Sequence, residues 1–235
     1  NNFFTNTKLI LDLPDIKGEL FFTNLNPWSN SFFSPGIMGP FSFVPFMECY
    51  HGILSMHHTI SGKLSYNNEE IDFNRGIGYT EKDWGSNFPN SWIWVQANHF
   101  NQKGLSLSAS VARIPFLGTQ FAGFIVGLLF KGKLYRFTTY RSARIIKLNY
   151  DGRLIEWIIK QGKLTLIIHI EIGEKAGILF APDKNDMVEK VPEYLDSKVS
   201  IDLKENNKTI IRDKSNFAAN EIVGDIETLL ELANK

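Results

Sequence analysis

Glu81-Lys82-Asp83-Trp84-Gly85-Ser86-Asn87-Phe88-Pro89-Asn90-Ser91-Trp92-Ile93-Trp94-Val95-Gln96-Ala97-Asn98-His99-Phe100 ends in an alternating run. In an extended strand successive side chains point to opposite faces, so Trp92, Trp94, Gln96, Asn98 and Phe100 are expected to share one side of a sheet. Aliphatic residues would fill that face in an ordinary core strand, because each buried amide without a partner costs roughly 1–3 kcal/mol. Indoles mixed with amides point instead to the wall of a lined cavity.

Outward from this stretch, runs rich in Ile, Val, Leu, Phe, Tyr and Thr are interrupted about every ten residues by turn pairs: Asn67-Asn68, Lys131-Gly132, Asp151-Gly152, Gln161-Gly162 and Asn206-Asn207. Each pair tolerates positive φ, as two-residue hairpin turns require. The pattern predicts an all-β antiparallel meander, with separate strands over residues 50–61 and 62–66, others at 92–100 and 105–114, and 198–203 near the end. Closure into barrels would remove the exposed edges. Residues 25–47 differ, with Pro27, Pro35, Pro40 and Pro45, and read as a connector between units. The expected division is residues 1–46 as the end of a first barrel plus linker, 47–222 as a second barrel, and 223–235 as a helix. In that helix Ile226, Leu229, Leu230 and Ala233 recur at helical spacing after an N-cap at Asp225.

Composition narrows the function classes. Twenty-five basic and twenty-five acidic residues give a net charge of zero, and no basic patch suggests a nucleic-acid partner. Cys49 is the single cysteine, so no intramolecular disulfide can form and a reducing, cytoplasmic setting fits. No apolar run approaches the ~20 residues a membrane-spanning helix needs. Of nineteen Phe residues, seven bunch with Trp28 at Phe21-Phe22, Phe32-Phe33, Phe41, Phe43 and Phe46. They suit both core filling and a long apolar ligand. Neither a Gly-x-Gly-x-x-Gly turn, a Walker loop nor a Gly-x-Ser-x-Gly elbow occurs, which argues against a nucleotide cofactor.

The pattern Glu-Lys-x-Trp-Gly-x-x-Phe-Pro-x-x-Trp-x-Trp-x-Gln-x-Asn-x-Phe over 81–100 resembles the signature of the tocopherol cyclase family. His51 and His58 resemble an upstream histidine pair, Leu179-Ala181-Pro182 a Leu-x-Ala-Pro turn, and Ala218-Ala219-Asn220-Glu221-Ile222 lies near a closing Ala-x-x-Glu pattern. Two departures stand out: Asp83 replaces an Asn usual in plant-type members, and the chain opens at Asn1-Asn2-Phe3, so the family's leading segment is expected to be missing. The resemblance implies two lipocalin-like barrels in tandem and an acid-catalysed, redox-neutral ring closure of a prenylated quinol. Such chemistry needs a strong acid, electron-rich surfaces and a base near the phenol.

On that reading Glu81 and Asp83, on one strand face, are the candidate acids. Desolvation in an aromatic cavity would keep such a carboxyl protonated. His51 or His58 is the candidate acceptor of the phenol proton. Trp84, Trp92 and Trp94 could stabilise a carbocation through their ring faces, with Glu48, Gln96, Asn98 and Phe100 completing the binding wall. His51, His57 and His58 lack a third ligand at a recognised spacing, so neither a metal nor any other cofactor is expected. The expected partner is a hydrophobic small molecule, reached through peripheral membrane contact. The alternative is a carrier that holds such a ligand unchanged.

Overall fold

The computed structural model describes residues 1–32, 34–45, 47–116, 118–183 and 186–235, with residue 116 by its backbone alone. Phe33 and Phe46, counted among the bunched aromatics, lie outside the described residues. Six strands form the first sheet: β1 (Phe3–Phe4), β2 (Lys8–Asp12), β3 (Ile16–Thr23), β4 (Cys49–Tyr66), β5 (Glu69–Asp72) and β6 (Gly76–Gly85). Ten form the second: β7 (Ser91–Ala97), β8 (Ser106–Phe116), β9 (Thr119–Phe130), β10 (Lys133–Thr138), β11 (Arg144–Tyr150), β12 (Leu154–Gln161), β13 (Leu164–Glu171), β14 (Ala176–Asp183), β15 (Asp186–Glu205) and β16 (Lys208–Gly224). Helix α1 (Ile226–Ala233) follows, and the Asp225 carboxylate accepts from the Thr228 amide at 3.2 Å, as an N-cap should. No described helix is long and apolar enough to cross a membrane.

All pairings are antiparallel, the first sheet running β1-β2-β3-β4-β5 with β6 also on β4. The second runs β10-β9-β8-β7-β16-β15-β13-β12-β11, with β14 on β15. Its strands share one core, in which Phe137 of β10, Trp157 of β12, Ile93 of β7 and Leu229 of α1 are all buried. Among the described residues no ladder joins β10 to β11, the two ends of this sheet. The turn pairs behave as their chemistry requires: Asn67, Asn68, Asn206 and Asn207 all have positive φ.

Three expectations change. The proline-rich segment does not separate the sheets, because β3 pairs with β4 across it, Leu20 opposite Gly62. The chain changes sheet between Gly85 and Ser91, inside the motif itself. Residues 50–66 form one strand that runs on through Gly62, where φ is +117° and a Cβ would meet the Glu19 carbonyl oxygen at 2.2 Å. Finally, Leu179-Ala181-Pro182 is not a turn but lies in β14, an edge strand where proline is tolerated.

The sheets meet through a second, smaller cluster of Trp28, Ile37, Ile53, Met56 and Leu129. Trp28 lies so close on β9 that a Cβ at Gly127 would meet its ring at 2.4 Å. Of the bunched aromatics, Phe22 and Trp28 are buried as core, whereas Phe21, Phe32 and Phe43 are exposed.

Candidate active site

Beside this contact the two sheets and their loops enclose a half-open cavity of about 160 Å³. One wall comes from the first sheet, with Cys49 and His51 of β4 and Glu81 and Asp83 of β6. The opposite wall comes from the second sheet: Trp92 and Trp94 of β7, Ser110, Ala112 and Ile114 of β8, Phe124 and Ile125 of β9, and Glu221 of β16. Met38, Phe41, Met47, Phe88 and Tyr140 complete it from the connecting segments. The chamber thus lies between the sheets and not inside the second one, whose interior is filled by aliphatic and aromatic side chains.

The alternation in β7 accounts for this placement. Ile93, Val95 and Ala97 point into the large core, while Trp92 and Trp94 point the other way and pack with Ala181 and Val191. The regular alternation stops at Ala97, where the strand ends, and Phe100 turns back into the core beside an isolated bridge to Ser215. Gln96 and Asn98 are not among the cavity-lining residues, although the Gln96 amide nitrogen is buried without a partner among the described residues.

The register between β4 and β6 sets His51 opposite Asp83, and their side chains are hydrogen-bonded through His51 Nδ1. Burial alone would push the His51 pKa down, but the Asp83 hydrogen bond and the charges of Glu81, Asp83 and Glu221 outweigh it and raise it to about 9. The shift favours the protonated, cationic form of His51. Glu81 accepts from the Tyr79 hydroxyl, and from Trp94 Nε1 at 3.3 Å. Tyr79 also lies 3.1 Å from Ser108 Oγ, tying the carboxyl to the second sheet. Burial pushes the Glu81 pKa up, opposed by the His51 charge.

Glu221 is the residue the sequence reading quoted but did not use. It sits opposite Trp94 in the β16–β7 ladder, and Trp92 Nε1 donates to its Oε2 at 2.7 Å. Desolvation, with the charges of Glu81, Glu193 and Asp83 adding to it, raises its pKa to about 7 against the single Trp92 donor. The signal was present in the Ala-x-x-Glu pattern, but only the pairing of β16 with β7 brings it beside the indoles. Tyr79 was missed for a similar reason, since its parity with Glu81 was visible but its contact across the sheets was not.

Several candidates lie elsewhere. His58 is buried within the first sheet, its ring filling the space above Gly78 and 4.9 Å from that of Phe22. The pairing of β4 with β6 shifts register between Ile53 and His58. Trp84 stacks on Tyr50 at 5.6 Å beneath Lys82 and remains 47% exposed. Glu48 is exposed and contributes its backbone carbonyl, which accepts from the Ser86 and Asn87 amides. His51, Glu81 and Asp83 each bring one ligand atom within 4.8 Å of the others, a grouping that could hold a metal ion. Two of the three ligands, Glu81 and Asp83, come from β6 and only His51 from β4, and the direct His51–Asp83 hydrogen bond would have to open to admit the ion.

Cys49 lines the same cavity, and burial, reinforced by the Asp83 charge, pushes its thiol up to about 12. Iodoacetamide at pH 8 should modify it on the order of a hundredfold or more slower than a free thiol, because the thiolate is the reactive form. Modification followed by mass spectrometry checks this, and labelling at the rate of a free thiol would contradict the burial.

Comparison with known proteins follows the same geometry. A family model described as tocopherol cyclase-like matches residues 24–224, and so takes in both sheets. "Probable tocopherol cyclase, chloroplastic" from Oryza sativa subsp. japonica is 28% identical over 100 residues, which are 41% of this chain and 21% of that protein. "Tocopherol cyclase, chloroplastic" from Zea mays is 25% identical over 100 residues, with the same shares. The matched stretch spans about a fifth of the length of these relatives.

Proposed function

Because the chain belongs to the tocopherol cyclase-like family, we propose that it catalyses an acid-driven, redox-neutral ring closure of a prenylated quinol or a related prenyl lipid. In this reaction a proton adds to one carbon of the first alkene of the tail, and the phenol oxygen bonds to the other. The phenol O–H bond and the alkene π bond are lost, a C–H and an O–C bond are made, and the mass is unchanged. The barrier lies in the cationic character of the protonated alkene, so a neutral carboxylic acid must be held in a dry place beside electron-rich surfaces.

The observation that carries this reading is the pair of desolvated carboxyls, Glu81 and Glu221, each hydrogen-bonded to an indole in the same apolar cavity. Burial holds both above the ordinary carboxylate range. Trp92 and Trp94 also offer ring faces where positive charge would develop, each worth roughly 0.5–2 kcal/mol when desolvated. Met38, Phe41, Ile114, Phe121 and Phe124 give the tail an apolar surface to leave along.

A carrier that binds the same lipid without converting it is the second reading, favoured by the largely apolar lining. Incubation with a prenylated hydroquinone, followed by chromatography and mass measurement, separates the two. The cyclase reading expects a product of identical mass that is no longer directly oxidised to the parent prenylquinone. Saturable binding with no such product, across quinols of different head and tail, would retire it in favour of the carrier.

A further inference from the structure

We infer that a trough over Ala112 and Gly123 seats the first prenyl unit of the substrate, with the quinol ring held deeper in the cavity, and that Gly123 is the residue that admits the tail. This inference rests on the prenylquinol reading, in its cyclase or its carrier form, and deepens it. Pairing in the second sheet arranges the cavity floor in rows. Glu221, Trp94, Ser110 and Ile125 stand side by side across β16, β7, β8 and β9. Trp92, Ala112 and Gly123 form the next row and Ile114 with Phe121 the third, each about 7 Å from the last at two residues of strand rise. All of them line the cavity.

The chemistry changes from row to row. The first carries Glu221 and Ser110, and Trp94 there bonds Glu81 of the facing sheet through its indole N–H. Ring hydroxyls meet hydrogen-bonding groups at this end. The third row is apolar, and Phe41 from the connecting segment meets Phe121 with ring centroids 6.4 Å apart. Beyond it the strands reach the surface, where the paired residues Pro115 and Gln120 are exposed. A gradient from polar inside to apolar at the rim orients an amphiphile head in and tail out.

Between these ends the middle row is small, and the two glycines that β9 places on this face differ. A Cβ at Gly127 would strike the Trp28 ring at 2.4 Å, so the chain itself fills that gap. At Gly123 the nearest atoms belong to Ile114 and Phe121 of the same sheet, and the residue borders the cavity. Gly123 does not have a positive φ, so the strand conformation does not call for glycine there. A glycine in a strand interior without that need marks a place where another group comes close to the backbone. The enclosed volume agrees. About 160 Å³ is room for one aromatic ring, since an apolar cavity of about 150 Å³ takes up a single benzene, so the tail has to begin at the open side.

The test compares two probes, trimethylhydroquinone and the same ring carrying one dimethylallyl group, by ligand-observed NMR titration of wild type, Gly123→Val and Ala112→Leu. A Cβ at Gly123 meets Ile114 Cγ1 at 2.9 Å, so Ala112→Leu, which fills the trough from the neighbouring strand, decides the outcome if Gly123→Val is unstable. Urea midpoints report that each protein is folded. Both variants should bind the tailless ring within about twofold of wild type and the prenylated ring about 10- to 100-fold more weakly, as exclusion of several buried carbons requires. Folded variants that bind the prenylated ring like wild type, or that lose both probes equally, would overturn the inference alone. Wild-type protein that binds neither probe overturns the prenylquinol reading, and the inference falls with it.

Discussion

His51→Ala is expected to lower stability by roughly 2–4 kcal/mol near pH 6 and to lose most of that deficit above about pH 9. The imidazolium is held by Asp83 and faces Glu81, and removing it leaves two carboxyls confronting each other in a partly dry place. Breaking a fully buried ion pair from one side typically costs ~3–5 kcal/mol, and this pair retains some exposure, 17% and 26%, which reduces the figure. The sign follows from the direction of the shift. His51 binds its proton more tightly folded than unfolded, so its contribution is fully present below the ordinary histidine range near 6.5 and disappears as pH rises through about 9. Urea unfolding of both proteins at pH 6 and pH 10 measures this. Equal deficits at the two pH values would mean that packing, not charge, makes the difference.

The second large effect is structural. Trp157→Ala should cost about 3–5 kcal/mol, as deletion of a buried tryptophan usually does, because its ring is fully buried in the core of the second sheet and meets Phe124 edge-on at 6.5 Å. Trp157→Phe should cost far less. Among the described residues the indole N–H has no partner, so its removal recovers the penalty of a buried, unpaired donor and offsets part of the lost contact area. Urea midpoints at constant slope distinguish the cases. A Phe variant as damaged as the Ala variant would imply that the N–H is satisfied in solution.

Phe124 connects this core to the cavity. Its ring packs against Trp157 on one side and contributes to the cavity wall on the other. The rigidity of the second sheet thus sets the position of the surface on which a prenyl tail would lie.

Local features of the fold were legible in the sequence because they depend on neighbours in the chain. The Asn-Asn turns, the alternation in Trp92–Ala97 and the Asp225 cap are settled over two to four residues, and each stands as the sequence indicates. Long-range features were not. The prolines of 25–47 do mark a segment outside the main ladders, but nothing local says that β4 returns to pair with β3. The β14–β15 hairpin was overlooked since its residues Ile178–Phe180 are exposed and lack the alternation that betrays a half-buried strand.

The candidate site shows the same boundary. Glu81 and Asp83 were placed on one face by parity, and that face does line the cavity. Parity failed for Phe100 past the end of β7. Glu221 stands 140 residues along the chain from Glu81, and only the ladder that joins β16 to β7 brings it to the same cavity. Its role as a raised carboxyl follows from burial, which no motif encodes.

The central claim, that a carboxylic acid between the two sheets protonates an alkene and a phenol oxygen closes onto the resulting cation, is tested most directly by running the reaction in heavy water. The account predicts a chromanol carrying one non-exchangeable deuterium, on the ring carbon that was the protonated alkene carbon, and none elsewhere in the tail. A cyclised product without that deuterium, or one formed only with oxidation of the quinol, would contradict it.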